Sequence, residues 1–371
     1  MRRFIGIAIA TLVFSACATP TAAPSATARP TADFRQAKVD IAYSALVDEH
    51  VERPTSRALL TAALEAIKAQ ARTTGGTDDE PTPAFQDSSE FVLADFKKFA
   101  GAAGSLAARN PQLSADRIAD AAIAAMVRVV PPDCHTKYLR GLSSAALPQR
   151  VAWAPAGEAR LIAQSGGSGL ERRLLPGPIG YVAWRSWGLA GDGFDITTEV
   201  RRALDALLAQ GARAWLIDLR NNPGGLLNQT VESWFLNGEP LYRVTDRHGA
   251  PVVRSAQAGV RLPREYQLPL AVLLGGGSAS ASELFALGLK ENRRATIVGQ
   301  RSAGCISASS IIPLPDRSRI QVTLTKVVGA ATGADYHRVG IPPDVPADEG
   351  TAIEVAAALL REQIAKAAGT R

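Results

Sequence analysis

Three stretches near the front of the chain carry hydrophobic residues at steps of three and four positions, the spacing of one face of an α-helix. They cover residues 39–46, 59–67 and 118–126. A segment rich in Gly, Asp, Pro and Thr, over residues 73–89, separates the second stretch from the third and is typical of a loop. The pattern therefore predicts a helical region over residues 34–140.

Beyond residue 177 the pattern changes to short hydrophobic runs that alternate with amphipathic stretches. The predicted strands cover 179–184, 214–219, 268–274 and 295–298, with helices between them at 195–210 and after 280. Regular alternation of this kind predicts an α/β core with a parallel sheet. A hairpin is predicted within residues 306–326, and a capping box starting at Thr351 predicts a C-terminal helix.

The first residues have the order of a secretory signal. Arg2 and Arg3 precede an apolar stretch over residues 4–14, which is short for a membrane span, and Cys17 follows. A cysteine at that point predicts a lipobox, in which Cys17 becomes the acylated N-terminus. Residues 18–33 are almost wholly Ala, Thr, Pro and Ser and predict an extended tether. We therefore expect an exported protein of the cell envelope, bound to a membrane by its lipid anchor.

Composition argues against two classes of ligand. The formal net charge is +6, but Lys and Arg are scattered without a basic run, so we expect no nucleic-acid partner. Cys134 and Cys305 lack metal-ligand spacing, and the four histidines form no cluster along the chain. We therefore expect no metal and no cofactor. In an oxidising compartment the two cysteines allow a single disulfide.

Ser280 stands where a strand turns into a helix, after the glycine run 275–277. Backbone N–H groups converge at such a corner, and the positive end of the helix dipole favours an oxyanion. The position predicts a serine nucleophile for acyl transfer. Its oxyanion would be held by the N–H of Ala281 and by that of Gly224 or Gly225, which follow the strand at 214–219. Either loop taken alone is also typical of ordinary tight packing.

Four segments, in this order and at this spacing, resemble the carboxy-terminal processing (tail-specific) proteases, the serine peptidase family S41 that includes the tricorn core. They are residues 218–225, 278–283, 294–299 and 340–344. The resemblance implies an α/β (ClpP/crotonase-like) protease core that acts on proteins or peptides. The predicted organisation is a signal peptide with lipobox (1–17), a linker (18–33), the helical region (34–140), a connector (141–176), the protease core (177–350) and a C-terminal helix (351–371).

Two features depart from that family. The connector is too short for the PDZ module with which many relatives grip a substrate's C-terminus by strand addition. The family's lysine base is expected 25 residues after Ser280, where this chain has Cys305. Lys290 lies roughly 15 Å along the same helix and is too far to replace it. Lys326 is the first other lysine to consider.

The resemblance also indicates a replacement for the missing base. Relatives of the tricorn type use a histidine from the region before the core, and His135 occupies a similar place here. An imidazole is a suitable base for a serine, and Asp133 or Thr136 is a candidate to fix its tautomer. Glu291 is a candidate supporting residue, or else a solvated helix residue.

A disulfide follows from the same arrangement. If His135 serves Ser280, its neighbour Cys134 approaches Cys305, and the pair can close a loop of about 170 residues. Two separately buried thiols are the alternative.

The leading hypothesis is an exported serine endopeptidase that forms an acyl-enzyme on Ser280. Two alternatives stay open: a non-catalytic binding or scaffold protein that has kept the fold and lost its base, and a different acyl hydrolase, since a fold alone does not settle a reaction.

Overall fold

A computed structural model describes residues 34–140, 169–188, 195–226, 229–249 and 251–369, which belong to one compact unit. The predicted signal peptide with Cys17, the linker and most of the connector lie outside the described residues. Within the described ranges, no helix is both long and apolar enough to cross a membrane.

The helical region contains four α-helices, three of which coincide with the predicted hydrophobic stretches, whereas the third in chain order lies between the second and third stretches. They are α1 (Gln36–Ser44), which continues into a π-helical turn (Ala45–Glu49), α2 (Ser56–Thr73), α3 (Leu93–Arg109) and α4 (Ala115–Val129). Helix α2 begins where the hydroxyl of Thr55 accepts the N–H of Ala58, and α4 begins where Ser114 accepts that of Arg117. Each hydroxyl satisfies a backbone donor that the first helical turn leaves open. The buried stripes of α1 to α4 form a hydrophobic cluster of their own.

The remaining elements are twelve strands and four α-helices within the described residues. In chain order the strands are β1 (Lys137–Leu139), β2 (Glu171–Leu175), β3 (Ile179–Ala183), β4 (Ala214–Asp218), β5 (Pro240–Asp246), β6 (Val252–Ser255), β7 (Leu270–Leu274), β8 (Thr296–Gly299), β9 (Ser309–Pro313), β10 (Arg319–Thr323), β11 (Thr325–Gly329) and β12 (Val345–Pro346). The helices are α5 (Ile196–Ala209), α6 (Gln229–Ser233), α7 (Ala281–Glu291) and α8 (Ala352–Gly369), with a short 3₁₀ turn at Arg264–Tyr266.

The core is a six-stranded sheet in the order β12-β8-β7-β4-β3-β2, parallel except for the edge strand β2. Its inner strands β3, β4, β7 and β8 are almost wholly buried, because the side chains on both faces of the sheet pack against helices. Trp215 and Ile217 pack with α5 and α7, whereas Leu216 packs with α8 on the other face. The predicted α/β class and the predicted strands of this sheet are confirmed.

This sheet brings two loops together. Strands β4 and β7 are parallel neighbours, with Asp218 opposite Leu273. Their carboxyl ends therefore meet at the same edge, where ligand crevices form in α/β sheets. The loop over residues 220–226 and the corner at Ser280 both leave from that edge.

The hairpin β9–β10 packs on the helical region instead of on the parallel sheet. It forms a three-stranded antiparallel sheet in the order β1-β10-β9, and its inner residues Ile312, Ile320 and Val322 join the cluster of α1 to α4. The nearly buried ammonium of Lys38 pairs with Asp120 of α4 and Asp316 of the hairpin turn, each at 2.6 Å. The hairpin thus connects the helical region to the C-terminal half of the chain. A third sheet, β11-β5-β6, contains Lys326, which the sequence had placed in the hairpin.

Candidate active site

Ser280 occupies the strand-to-helix corner with a strained backbone. It follows β7 and precedes α7, and its φ is 54° with ψ at −115°. A non-glycine residue seldom adopts this conformation, which costs on the order of 1–3 kcal/mol and is concentrated at functional sites. The side chain is partly exposed, and it forms a capping box with Glu283 at the start of α7. The hydroxyl therefore stands at the edge of the sheet, on the first turn of the helix.

Glu283 fixes the corner to a second loop. Its Oε2 accepts the N–H groups of Ser280 at 3.0 Å and Cys305 at 2.7 Å. Its Oε1 accepts the N–H of Gly304 at 2.8 Å and the hydroxyl of Ser302 at 2.6 Å. Burial raises the pKa of this carboxyl even though the four donors lower it. Because one carboxylate binds both segments, the position of the expected family lysine lies beside Ser280.

Of the two glycines predicted as alternatives for an oxyanion donor, one has its amide engaged. The N–H of Gly224 donates to Oδ1 of Asn222 at 2.9 Å, which leaves Gly225 as the candidate from this loop. The N–H groups of Gly225 and Ala281 have no acceptor among the described residues. Gly225 is exposed and Ala281 opens α7. One of these open amides follows Ser280 in the chain, and the other belongs to the residue after Gly224, which packs against Ser280.

Gly224 acts by close packing instead. Its φ is 100°, and a Cβ atom there would lie 2.7 Å from Cβ of Ser280 and 3.0 Å from N of Ala281. Its carbonyl accepts the N–H of Trp187 at 3.1 Å. Only glycine allows this loop to approach the corner so closely.

The buried residue Asn222 connects this loop to the corner through its side-chain amide and through its backbone carbonyl. Its side-chain amide donates to the carbonyl of Trp184 at 2.9 Å, while its own carbonyl accepts the N–H of Ala279 and the hydroxyl of Ser282. The hydroxyl of Ser282 in turn accepts the indole N–H of Trp187 at 3.0 Å. These contacts hold the loop at a fixed distance from Ser280. The sequence motif indicated the loop, but it gave no sign of this network.

His135 lies in the segment that joins α4 to β1. Its Nδ1 is 3.0 Å from the hydroxyl of Ser307, and burial lowers the pKa of the imidazole. Its Nε2 has no hydrogen-bond partner among the described residues, and no hydrogen bond joins His135 to Ser280 there. The ring is therefore neutral near pH 7 and keeps one nitrogen open.

The two partners considered for His135 contact other groups. Oδ1 of Asp133 accepts the backbone N–H groups of His135 at 2.8 Å and Thr136 at 2.5 Å. Oδ2 accepts the hydroxyls of Thr136 and Thr323. Asp133 thus shapes the turn that carries the histidine, and neither Asp133 nor Thr136 hydrogen-bonds the ring. Ser307, which the sequence did not single out, is the residue that does.

Cys134 and Cys305 form a disulfide in the structure, with their Cα atoms 5.7 Å apart. The bond attaches the segment of His135 to the loop that Glu283 holds against Ser280. His135 and Ser280 are therefore connected through a short series of contacts, although about 145 residues separate them in the chain.

Three of the four histidines, His50, His135 and His337, lie near Asp133 in space, although they are far apart in the sequence. Nε2 of His337 lies 3.9 Å from Oδ2 of Asp133, and Nε2 of His50 lies 2.9 Å from the hydroxyl of Thr136. Burial lowers the pKa of His337 and lowers that of His50 to about 4. The cluster is thus uncharged at neutral pH. No group of His, Cys, Asp and Glu in the described ranges has an arrangement that could hold a metal ion.

The other charged candidates are engaged elsewhere. Glu291 accepts the N–H groups of Ala331 and Thr332 and so fixes the turn after β11, which makes it a structural residue. Lys290 pairs with Asp344, and Nζ of Lys326 lies 3.0 Å from Oε2 of Glu52.

Comparison with known proteins gives consistent matches over the α/β core. Residues 178–347 match the model of peptidase family S41. The carboxyl-terminal-processing protease of Synechocystis sp. is 38% identical over 149 residues, which cover 39% of this chain and 34% of that protein. The carboxy-terminal-processing protease of Bartonella bacilliformis is 34% identical over 158 residues, covering 42% and 36% respectively. The chain thus spans about a third of the length of these curated relatives.

Among solved structures, the photosystem II D1 C-terminal processing protease is similar at 28% identity and a TM-score of 0.41. That match covers 49% of this chain and 46% of the other.

Proposed function

We propose that this chain, which contains a peptidase family S41 domain over residues 178–347, is an exported serine endopeptidase that cleaves proteins or peptides through an acyl-enzyme on Ser280. One observation carries the proposal. A strained serine stands at the start of a helix, with the unpartnered N–H groups of Gly225 and Ala281 beside it. Acyl transfer needs this combination of nucleophile and preorganised donors.

The proposed reaction uses these groups in the following order. Oγ of Ser280 attacks the scissile carbonyl carbon, and its proton passes to Nε2 of His135. The two amides receive the oxyanion. When the C–N bond breaks, His135 returns the proton to the leaving amine, and a water molecule then hydrolyses the ester by the same steps.

Ser307 is the proposed orienting partner of His135. If Nδ1–H donates to the serine hydroxyl, the lone pair of Nε2 is free to act as the base. A neutral hydroxyl stabilises the imidazolium less than a carboxylate would. His135 must also come within hydrogen-bond distance of Ser280 in the substrate complex, as catalytic contacts often do.

Labelling with a fluorophosphonate tests the nucleophile. Covalent modification of Ser280, located by peptide mass mapping, is expected of an endopeptidase. A folded protein that stays unlabelled would favour the non-catalytic scaffold. The absence of a hydrogen bond between His135 and Ser280 in the described residues supports that alternative. Turnover of esters without turnover of peptides would instead indicate another acyl hydrolase.

We also propose that residues 1–17 direct export and that Cys17 is lipidated. A Cys134–Cys305 disulfide is compatible with an oxidising compartment outside the cytoplasm. Cell fractionation tests the anchor: the wild type is expected with membranes and Cys17→Ser in the soluble fraction. Equal membrane association of both would contradict lipidation.

Gly224→Ala is expected to lower kcat by about 10²-fold or more, because the new Cβ would push the loop away from Ser280 and displace the adjacent amide of Gly225. Gly211→Ala is the matched control, since Gly211 has a similar φ of 91° and no atom lies within 4 Å of the place its new Cβ would take. Steady-state kinetics of both variants separate the effect of packing from that of backbone strain. Equal rates in the two variants would contradict the role of close approach.

Reduction of the disulfide by dithiothreitol is expected to lower the rate at least about tenfold and to lower the midpoint of thermal unfolding. Two electrons from the dithiol convert the bond to two thiols, which frees the segment of His135 from the loop at Cys305. The chain-entropy contribution of so long a loop is about 5 kcal/mol at most. The double variant Cys134→Ser/Cys305→Ser serves as the control and should not respond to the reductant. Full activity of the reduced wild type would show that the bond does not position His135.

A further inference from the structure

We propose that the polypeptide substrate binds as an additional β-strand along the open edge of β9. This inference rests on the proposed function and names the surface that holds the substrate's backbone. Strand β9 begins at Ser309, two residues after Ser307, whose hydroxyl contacts His135. A chain lying along β9 therefore leads directly to the candidate base.

One side of β9 is unpaired within the described part of the chain. The strand lies at the end of the order β1-β10-β9, and only β10 hydrogen-bonds it. An exposed edge presents a row of backbone donors and acceptors, and extended peptides bind to such rows by strand addition.

The register shows which backbone groups face outward. The N–H of Leu324 donates to the carbonyl of Ala308, and the N–H of Leu314 donates to the carbonyl of Ser318. Hydrogen-bonded pairs alternate along an antiparallel ladder, so Ser310 and Ile312 also pair with β10. The N–H and carbonyl groups of Ser309 and Ile311 consequently point away from β10, towards the open edge.

Pro313 limits this edge to the part near the site. Its backbone points away from β10, like that of Ile311, two residues earlier. The N–H that proline lacks therefore removes no hydrogen bond to β10. A proline at the far end also blocks further pairing there. The free segment is thus Ser309 to Ile311, which is long enough to pair with about three substrate residues.

The side chain of Ile311 favours substrates that place an apolar residue beside it. It is 52% exposed, and it lies on the outer face of the sheet, opposite the face that packs on the helical region. A strand added beside β9 places one of its side chains directly next to Ile311. An apolar neighbour gains most from that contact.

Binding of fluorescein-labelled β-casein, an unstructured polypeptide, tests the inference without requiring turnover. The measurement compares Ser280→Ala with Ser280→Ala/Ile311→Pro and Ser280→Ala/Ile311→Thr by fluorescence anisotropy. Proline removes the outward N–H and leaves the bonds to β10 intact, so the Kd is expected to rise at least about tenfold. Threonine keeps the N–H and is expected to weaken binding only severalfold.

Hydrolysis by Ile311→Pro in the otherwise wild-type chain supplies a second readout. The KM for β-casein should rise at least about tenfold, in step with the Kd. An unchanged casein Kd with a normal unfolding midpoint would overturn the inference.

Other outcomes remain distinguishable. Casein binding that depends on Ile311, without any Ser280-dependent hydrolysis, would contradict the proposed peptidase activity and would still support the proposed binding edge. Self-association that Ile311→Pro abolishes in sedimentation velocity, with no effect on casein, would assign the edge to a second copy of the chain and overturn the inference.

Discussion

Ser280→Ala is expected to lower peptide hydrolysis by about 10⁴- to 10⁶-fold, because the proposed acyl-enzyme forms on the hydroxyl that this change removes. The fold should be unaffected, since the side chain is small and partly exposed. Ser255→Ala, an exposed serine at the end of β6, is the matched control and should keep full activity. Rates and far-UV circular dichroism of both variants provide the measurement.

Ser280→Gly adds a second check on the same corner. Glycine adopts a φ of 54° without strain, so this variant should be as inactive as Ser280→Ala and should unfold at a higher temperature. Residual hydrolysis in both variants would remove Ser280 from the mechanism.

His135→Ala is expected to lower kcat by about 10²- to 10⁴-fold at pH 8, the usual contribution of a general base. The wild-type rate should rise with pH as the imidazole loses its proton. Because burial lowers the pKa of His135, the midpoint should lie below about 6.5, the ordinary value for histidine. This inflection should be missing in the variant.

His248→Ala is the matched control for His135→Ala, since His248 is exposed and lies outside the cluster around Asp133. A rate that rises only above about pH 9 would instead indicate a lysine base, with Lys326 the first to test. A normal rate in His135→Ala would exclude the histidine.

Low pH is expected to lower the stability of the fold as well as to protonate the proposed base, so these two causes of a falling rate must be separated. His50, His135 and His337 have pKa values lowered by burial, and all three are neutral in the fold. Their contribution to stability is present above about pH 6.5 and is lost as the pH falls below it, because the unfolded chain binds the protons more readily. Unfolding midpoints measured over the same pH range would distinguish a protonated base from a partly unfolded protein.

Local patterns were sufficient for the scaffold and for the position of Ser280 at a strand-to-helix corner. The strands around β4 and β7 are short hydrophobic runs bounded by glycine-rich loops, and parallel strands bring the following loops to one edge. The order of the motifs then identified the corner at Ser280. These predictions succeeded because each depends on residues close together in the chain.

Contacts between distant segments were not predictable in this way. Glu283 is the third residue of an ordinary helix start, and nothing near it shows that it accepts N–H groups from residues 304 and 305. The use of the Gly224 amide by Asn222 is likewise a matter of side-chain direction. The gathering of His50 and His337 around Asp133 joins segments more than 80 residues apart, and it leaves no periodic signal in the sequence.

The hairpin β9–β10 also sets the order in which the chain can mature. The cluster of α1 to α4 is closed by side chains of Leu314, Ile320 and Val322, and β1 finds its partner only in β10. Pairing of such widely separated strands carries a large loop-closure cost. When a ribosome or an export channel releases the chain from its N-terminus, the helical region emerges well before the hairpin residues that complete its hydrophobic cluster. The surroundings of His135 remain incomplete until residue 323 has emerged, so any hydrolytic activity is confined to the nearly finished molecule.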